Sequence, residues 1–381
     1  MNILIAMDSF KGSLTSLETG NAVREAIINN YKDVNAEVFE VADGGEGLTE
    51  ALLSMHEHDI RKIRVTGPVG EKVEVSYGIY NKAGKRCAVI EMAKAAGLTL
   101  VPEEKKNPLY TTTYGVGEMI LDAINEGCKS FIIGIGGSAT NDAGIGMLQA
   151  LGFHFLRKDN SEALFGATAL RDTVSISDED VTDKLYDCEF RIVCDVKNPL
   201  YGDSGSSMVF APQKGATLEQ AKDMDAWMKR YADIVKKYYP KADASASGVG
   251  AAGGLGFAFQ AFLGAKLERG IEVVLNENGF AKSVKEADLV ITGEGKLDSQ
   301  TAMGKVPVGV AEYAKKYGVK VIAFGGLVDK DSVEKLKACG IDECYQITPE
   351  GMDIREALKR DVAIGNLKEK VDNIINCDME K

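Results

Sequence analysis

Residues 130–152, SFIIGIGGSATNDAGIGMLQALG, constrain the fold more tightly than any other stretch of the chain. Residues 131–135 have the length and β-branched content of a buried strand. The run then breaks into Gly134, Gly136, Gly137, Ser138, Thr140, Asn141, Asp142, Gly144 and Gly146. A short apolar segment, 147–151, follows and opens a helix ending at Gly152. Glycines let backbone N–H groups turn toward a ligand, and a helix start adds partial positive charge, so the arrangement suits phosphate. Ser138, Thr140, Asn141 and Asp142 supply hydroxyls and a carboxylate for metal, phosphate or substrate. Gly and Asn/Asp also build ordinary turns, but this density of polar groups behind a buried strand favours a binding loop.

The chain on either side supplies a scaffold for such a loop. Residues 2–7, NILIAM, read as a buried strand, and Thr15 with Glu18 three residues on forms a capping box for a helix to about residue 29. A second strand at 36–41 runs into ADGGEG, a helix covers 48–55, and a third strand is expected at 61–65. Strand, polar loop, helix and strand in succession give the rhythm of a parallel α/β sheet. Ligands of such sheets lie beyond the carboxyl ends of the strands, where Asp8, Lys11 and Asp43 fall.

From residue 72 to 92 the period changes: KVEVSYGIY and RCAVIEM alternate around NKAGK, an antiparallel hairpin. The middle of the chain adds a helix near 113–126, a weakly patterned polar segment at 157–187, a strand at 190–194 and a long amphipathic helix at about 218–238 containing Trp227. After about residue 282 the parallel rhythm returns with ADLVITGEG, VKVIAFGG and CYQIT, and a terminal helix follows from residue 354. The fold class is therefore α/β. One discontinuous parallel-sheet domain is built from both chain ends, 1–75 with 283–381, around an inserted mixed α/β domain at 76–282.

Composition narrows the partners. A chain of 381 residues holds roughly two domains with a substantial core. A formal charge of −12 disfavours nucleic acid and anionic membranes, so an anionic substrate needs a local basic site. The seven cysteines are scattered without C-x-x-C or zinc-finger spacing, which fits reduced thiols in the cytoplasm. The N-terminus enters a strand directly, so no signal peptide is expected. Residues 248–265 are long and uncharged, but six glycines make them a Gly-rich loop entering a buried helix rather than a membrane span.

Polar clusters stand at four predicted strand ends, 8–13, 43–47, 136–146 and 293–305, and a fifth follows the strand before Asp195. Residues 293–301, GEGKLDSQT, combine two carboxylates, a lysine, hydroxyls and flexible backbone. Phosphoryl transfer uses that kit: cations on the transferring group, acids for Mg²⁺ or as base, and close main-chain approach. Each cluster alone could be a capped helix start; four together point to catalysis. There is no P-loop signature. GVGAAG at 248–253 has the G-x-G-x-x-G letters, but it follows DASAS rather than a strand, so close helix packing or a substrate loop is the better reading. His56, His58 and His154 lack metal spacing and no G-x-S-x-G elbow occurs, which leaves carboxylates and lysines to do the chemistry.

MDSFKGSLTSLE, VADGGEG, IGGSATNDAGIGMLQALG, CDVKNPLYG, APQKGA, GAAGGLG and ITGEGKLDSQTAMGKVP together resemble the type-1 bacterial glycerate kinase family. The likeness is colinear over nearly the whole chain. It implies ATP-dependent phosphorylation of D-glycerate to 2-phosphoglycerate, 3-phosphoglycerate being less favoured, by a cytoplasmic enzyme. It also implies a flavodoxin-like domain from both chain ends, an inserted mixed α/β domain and an active site in the cleft between them. ATP, Mg²⁺ and D-glycerate are the implied partners; neither nucleic acid nor membrane is expected, and a homo-oligomer is left open.

Carried onto this sequence, the resemblance marks Asp8, Ser9, Lys11, Asp43, Asn141, Asp142, Asp195, Glu294, Lys296 and Asp298. By chemistry, Lys11 and Lys296 hold the glycerate carboxylate or the γ-phosphate. Asp195, with Asp43 as second choice, accepts the proton of the attacking hydroxyl. Glu294 or Asp298 holds Mg²⁺ directly or through water. Asp8, Ser9, Asn141 and Asp142 contact substrate, while Gly136, Gly137, Ser138, Thr140, Gly293 and Gly295 meet the nucleotide. A kinase for another small hydroxy acid and a metabolite sensor without turnover are the alternatives.

Overall fold

The computed structural model describes residues 1–31, 33–42, 47–54 and 56–379, with side chains to residue 375. It contains thirteen strands among these residues: β1 (Asn2–Met7), β2 (Asn35–Val38), β3 (His58–Thr66), β4 (Lys72–Lys82), β5 (Lys85–Glu91), β6 (Ser130–Gly134), β7 (His154–Leu156), β8 (Ser175–Ser177), β9 (Glu189–Val193), β10 (Lys266–Glu268), β11 (Leu289–Leu297), β12 (Lys320–Val328) and β13 (Glu343–Gln346). They fall into two compact units, Met1–Asp43 with Ile271–Lys381, and Gly44–Gly270.

The first unit is a five-stranded, wholly parallel sheet in the order β13-β12-β11-β1-β2. Counted along this unit alone, the order is 2-1-3-4-5, the flavodoxin-like arrangement that the family resemblance implies. The strands are apolar on both faces because helices cover both. Ile3, Ile5, Met7, Ile291 and Phe324 pack toward helix Ser16–Asn30 and the C-terminal helix Arg360–Met379. Leu4, Ala6, Val290, Val321 and Ala323 face the other way, with helix Val306–Lys316. The Thr15–Glu18 capping box is present, with the Glu18 amide donating to Thr15 Oγ1 at 3.2 Å and the Thr15 amide to Glu18 Oε2 at 2.9 Å.

The second unit carries a six-stranded sheet, β10-β9-β6-β5-β4-β3, parallel from β10 to β5 and antiparallel from β5 to β3. The hairpin read from the alternation at 72–92 is β4 and β5. The strand expected at 61–65 in parallel rhythm instead runs antiparallel to β4 over Thr66↔Lys72 to His58↔Tyr80. Its residues stay exposed or half-buried until Val65 and Thr66, and an edge strand with one wet face suits antiparallel pairing. The period change at 70–80 therefore lies inside this sheet, at its β3–β4 turn. The polar segment 157–187 holds β8, two short helices and loops.

GVGAAG is a packing device. Ala252, Gly253 and Gly254 take left-handed conformations at the start of helix Ala251–Leu263. A Cβ on Gly253 would lie 2.0 Å from the Thr140 carbonyl oxygen, and the Gly253 carbonyl accepts from the Ala143 amide at 2.9 Å. The glycine row thus presses against the 140–143 loop rather than against a dinucleotide. Gly253→Ala should cost about 2–4 kcal/mol, combining left-handed strain with overpacking. Urea unfolding of the variant measures it, and a loss below about 1 kcal/mol would contradict this close approach.

Candidate active site

In the first unit, the topological switch point lies between β1 and β11, where the loops after the two strands leave in opposite directions. The β1 amide ladder continues into the loop, with Asp8 N–H donating to the Gly293 carbonyl at 2.9 Å. Gly295 has no side chain, and a Cβ there would lie 3.5 Å from the Lys11 amide nitrogen. The two loops therefore run side by side. A cavity of about 370 Å³ opens beyond them, with Ser9, Lys11, Glu294, Gly295, Lys296 and Asp298 in its lining. Six residues marked in the sequence are brought together here.

Glu294 is the buried acid of this cavity, only 6 % exposed. Its Oε1 accepts from Thr301 Oγ1 at 2.5 Å and its Oε2 lies 3.3 Å from Lys305 Nζ. Burial pushes the Glu294 carboxyl above its ordinary range, against the hydrogen bond from Thr301 and the charge of Lys305. Asp298 behaves oppositely. Burial opposes its ionisation, but the Gln300 amide at 2.8 Å and Lys296 Nζ at 3.4 Å hold its carboxyl below the usual value. The cavity thus pairs an acid that resists charge with one that keeps it. Lys296 remains 59 % exposed at the side chain and can turn toward a ligand.

Asp8 is buried and its Oδ1 accepts the Ser9 amide at 2.7 Å, so it shapes the loop that carries Ser9 and Lys11. Gly293 is buried in the ladder, where a Cβ would meet the Phe324 carbonyl oxygen at 2.1 Å. Asp43 lies outside the described residues. Lys305, which also lines the cavity, escaped the residue-level reading although AMGKVP was within the recognised motif.

In the second unit, β6 and β9 are adjacent and parallel, so the Gly136–Gly137 loop and Asp195 emerge at neighbouring carboxyl ends. Both glycines are exposed, as is Asp195, whose Oδ1 accepts the Gly270 amide at 3.0 Å. Behind them the polar residues point inward. Asp142 is fully buried and ties together two helix starts: it accepts the Thr113 amide and hydroxyl at 3.0 and 2.8 Å, and the Gly144 and Gly146 amides at 3.1 and 3.3 Å. Burial pushes its carboxyl up despite these donors. Asn141, also buried, donates to Ser207 Oγ at 2.9 Å.

Lys214, from APQKGA, is 2 % exposed, and its Nζ donates to Ser138 Oγ at 2.7 Å and to the Thr140 carbonyl at 2.8 Å. Burial holds its ammonium down to about 7, the nearby Asp142 charge opposing. Ser138, Thr140, Asn141 and Asp142 are thus the buried frame behind the exposed Gly136–Gly137 turn. Lys214 was missed for lack of any sequence signal that a surface-type residue is internal.

Two carboxylates beside lysines make a hard-oxygen donor set suited to Mg²⁺. Among the described residues no three His, Cys, Asp or Glu side chains are grouped to hold a metal by themselves. Phosphate oxygens and water would have to complete the shell. Among the described residues, too, no helix is long and apolar enough to cross a membrane.

Comparison with known proteins agrees with this chemistry. A model of the glycerate kinase family matches residues 3–377. A glycerate kinase of Halalkalibacterium halodurans is 42% identical over 94% of this chain and 93% of its own. The Escherichia coli glycerate 2-kinase is 44% identical over 91% and 90%. The crystal structure of a Salmonella typhimurium LT2 protein assigned as glycerate kinase 2 superposes with a TM-score of 0.87 at 39% identity, covering 100% of both chains. With lysines and carboxylates gathered in a cavity at the switch point of a flavodoxin-like sheet, and relatives alike from end to end, the chain belongs to the glycerate kinase family of phosphotransferases.

Proposed function

We propose that the chain transfers the γ-phosphoryl group of ATP to the 2-hydroxyl of D-glycerate, giving 2-phosphoglycerate and ADP, with 3-phosphoglycerate the less favoured product. The observation that carries this reading is the meeting of Lys11, Lys296 and Lys305 with Glu294 and Asp298 in one cavity. The name of the glycerate 2-kinase relative supports the choice of hydroxyl. In the reaction, the acceptor oxygen bonds to the γ-phosphorus as the bond to the ADP oxygen breaks, and the hydroxyl proton passes to a carboxylate.

Asp195 takes that proton in this reading, and Asp43 is the second choice. Lys11 and Lys296 hold the glycerate carboxylate or the γ-phosphate as mobile point charges. The main-chain N–H groups around Gly136, Gly137 and Gly295 meet phosphate oxygens in this reading, with Ser138 and Thr140 behind the first pair, while Gly293 stays within the sheet ladder. Asp8 and Ser9 shape the acceptor end, whereas Asn141 and Asp142, turned inward, order the loop that carries Gly136 and Gly137. Glu294 and Asp298 would hold Mg²⁺, which neutralises charge on the transferring phosphate.

Phosphorus NMR of the product tests reaction and position together: a 2-phosphoglycerate signal from D-glycerate and ATP is expected. ADP release with other hydroxy acids but not D-glycerate would point to a different acceptor, and none with any acid would point to a sensor. Asp195→Asn should lower kcat by about 10²–10⁴-fold with nucleotide affinity near the wild-type value. If it keeps turnover, the base role passes to Asp43 and Asp43→Asn should lose it.

Lys305→Met tests the Glu294 pair. Its charge opposes the burial that raises the Glu294 carboxyl, so its loss raises that carboxyl further. The acid limb of kcat/KM for ATP should then move to higher pH. A loss of equal size at every pH would instead place Lys305 on the phosphates alone.

A further inference from the structure

The lining of the switch-point cavity is of two chemical kinds. Besides the lysines and carboxylates already described it includes Leu327, next to Lys296 across the sheet, and Ile347, Ile354, Ala357 and Leu358. Glycerate offers nothing to that wall, since each of its three carbons bears oxygen and its carboxylate is charged. A nucleoside phosphate is built the other way, with a flat, weakly polar base at one end and a polyanion at the other.

The apolar part of the lining also has features of a binding wall left open. Ile354 and Leu358 are 49% and 41% exposed, on a single turn at the cavity rim. The amide of Asn366 lines the same cavity and donates to Met352 Sδ at 3.6 Å, a weak acceptor that a base edge would readily replace. A volume of about 370 Å³ lies within the range of small-molecule sites.

We propose that this cavity takes the purine nucleotide, with the base lying on Ile354, Ala357 and Leu358 beside Asn366 and the phosphates reaching Lys11, Lys296 and Lys305. This rests on the reading of the chain as an ATP-dependent kinase, and it assigns the base a site that the glycine loops do not supply. Selectivity for a nucleoside triphosphate over other phosphoryl donors then comes from the C-terminal segment after β13, while the lysines read only charge.

The test uses the full-length Ile354→Asn/Leu358→Asn double variant, whose changes are neutral and lie at exposed positions. ADP affinity by calorimetry should fall roughly tenfold or more, because the apolar contact with the base is lost. The KM for ATP should rise with it, while the KM for D-glycerate stays within about twofold. Inorganic tripolyphosphate, which has phosphates but no base, should inhibit wild type and variant equally. ADP affinity unchanged within twofold overturns the proposal, as does an equal loss of tripolyphosphate inhibition. A wild-type protein that binds ADP at this wall yet fails to turn over D-glycerate would refute the reaction reading and leave the base site standing.

Discussion

The parallel ladder between β1 and β11 is the constraint on which the candidate site depends. Ile3 pairs with Leu289 and Met7 with Gly293, joining strands from the two ends of the discontinuous unit. Each residue of register is worth about 3.3 Å along the strand. A slip of two residues, the smallest that keeps both buried faces apolar, would therefore carry Lys11 about 7 Å past Glu294 and Asp298. The apolar residues on both faces of these strands, packed under helices on both sides, forbid that slip. Core packing thus sets the spacing between the cations and the acids.

The charge balance of the chain makes that local spacing matter. A molecule with a formal charge of −12 repels polyanions at long range, so a phosphate must be won at close quarters. Lys11, Lys296 and Lys305 of the first unit line one cavity together. Glu294 is the costly member. A carboxylate this deeply buried adds little to stability even beside Lys305, so its place in the fold is better explained by what the cavity holds.

Much of this was legible in the sequence. Strand, polar loop and helix succeed one another at both chain ends, and hydrophobic period with capping chemistry is local information, so β1, β11, β12 and the Thr15 cap could be read directly. The residues at the switch point were legible for the same reason, since polar clusters at the carboxyl ends of apolar strands have few other uses. Three features were not. The partner of β3 depends on which strand lies beside it, and a short alternating run carries no direction. The inward turn of Ser138, Thr140, Asn141 and Asp142 depends on Lys214, some seventy residues later, which spacing cannot reveal. The letters of GVGAAG announce a close main-chain approach, but only the fold shows that the approaching group is the Thr140 carbonyl.

That last case bears on how the second unit presents its glycine turn. A loop that binds an anion through main-chain N–H groups must hold them in place before the ligand arrives, because ordering a glycine-rich segment on binding costs about 1–2 kcal/mol per residue. Here the ordering is done in advance from behind. Gly253 closes on residues 140–143, Asp142 gathers four donors from Thr113, Gly144 and Gly146, and Lys214 fixes Ser138 and Thr140. Only Gly136 and Gly137 are left facing solvent. Burying a lysine and an aspartate is expensive, and each is held by hydrogen bonds to this frame, so their contribution is rigidity of the turn rather than net stability. The hydroxyls and acids of residues 138–142, which the sequence suggests for a ligand, are in this unit the groups that order the turn.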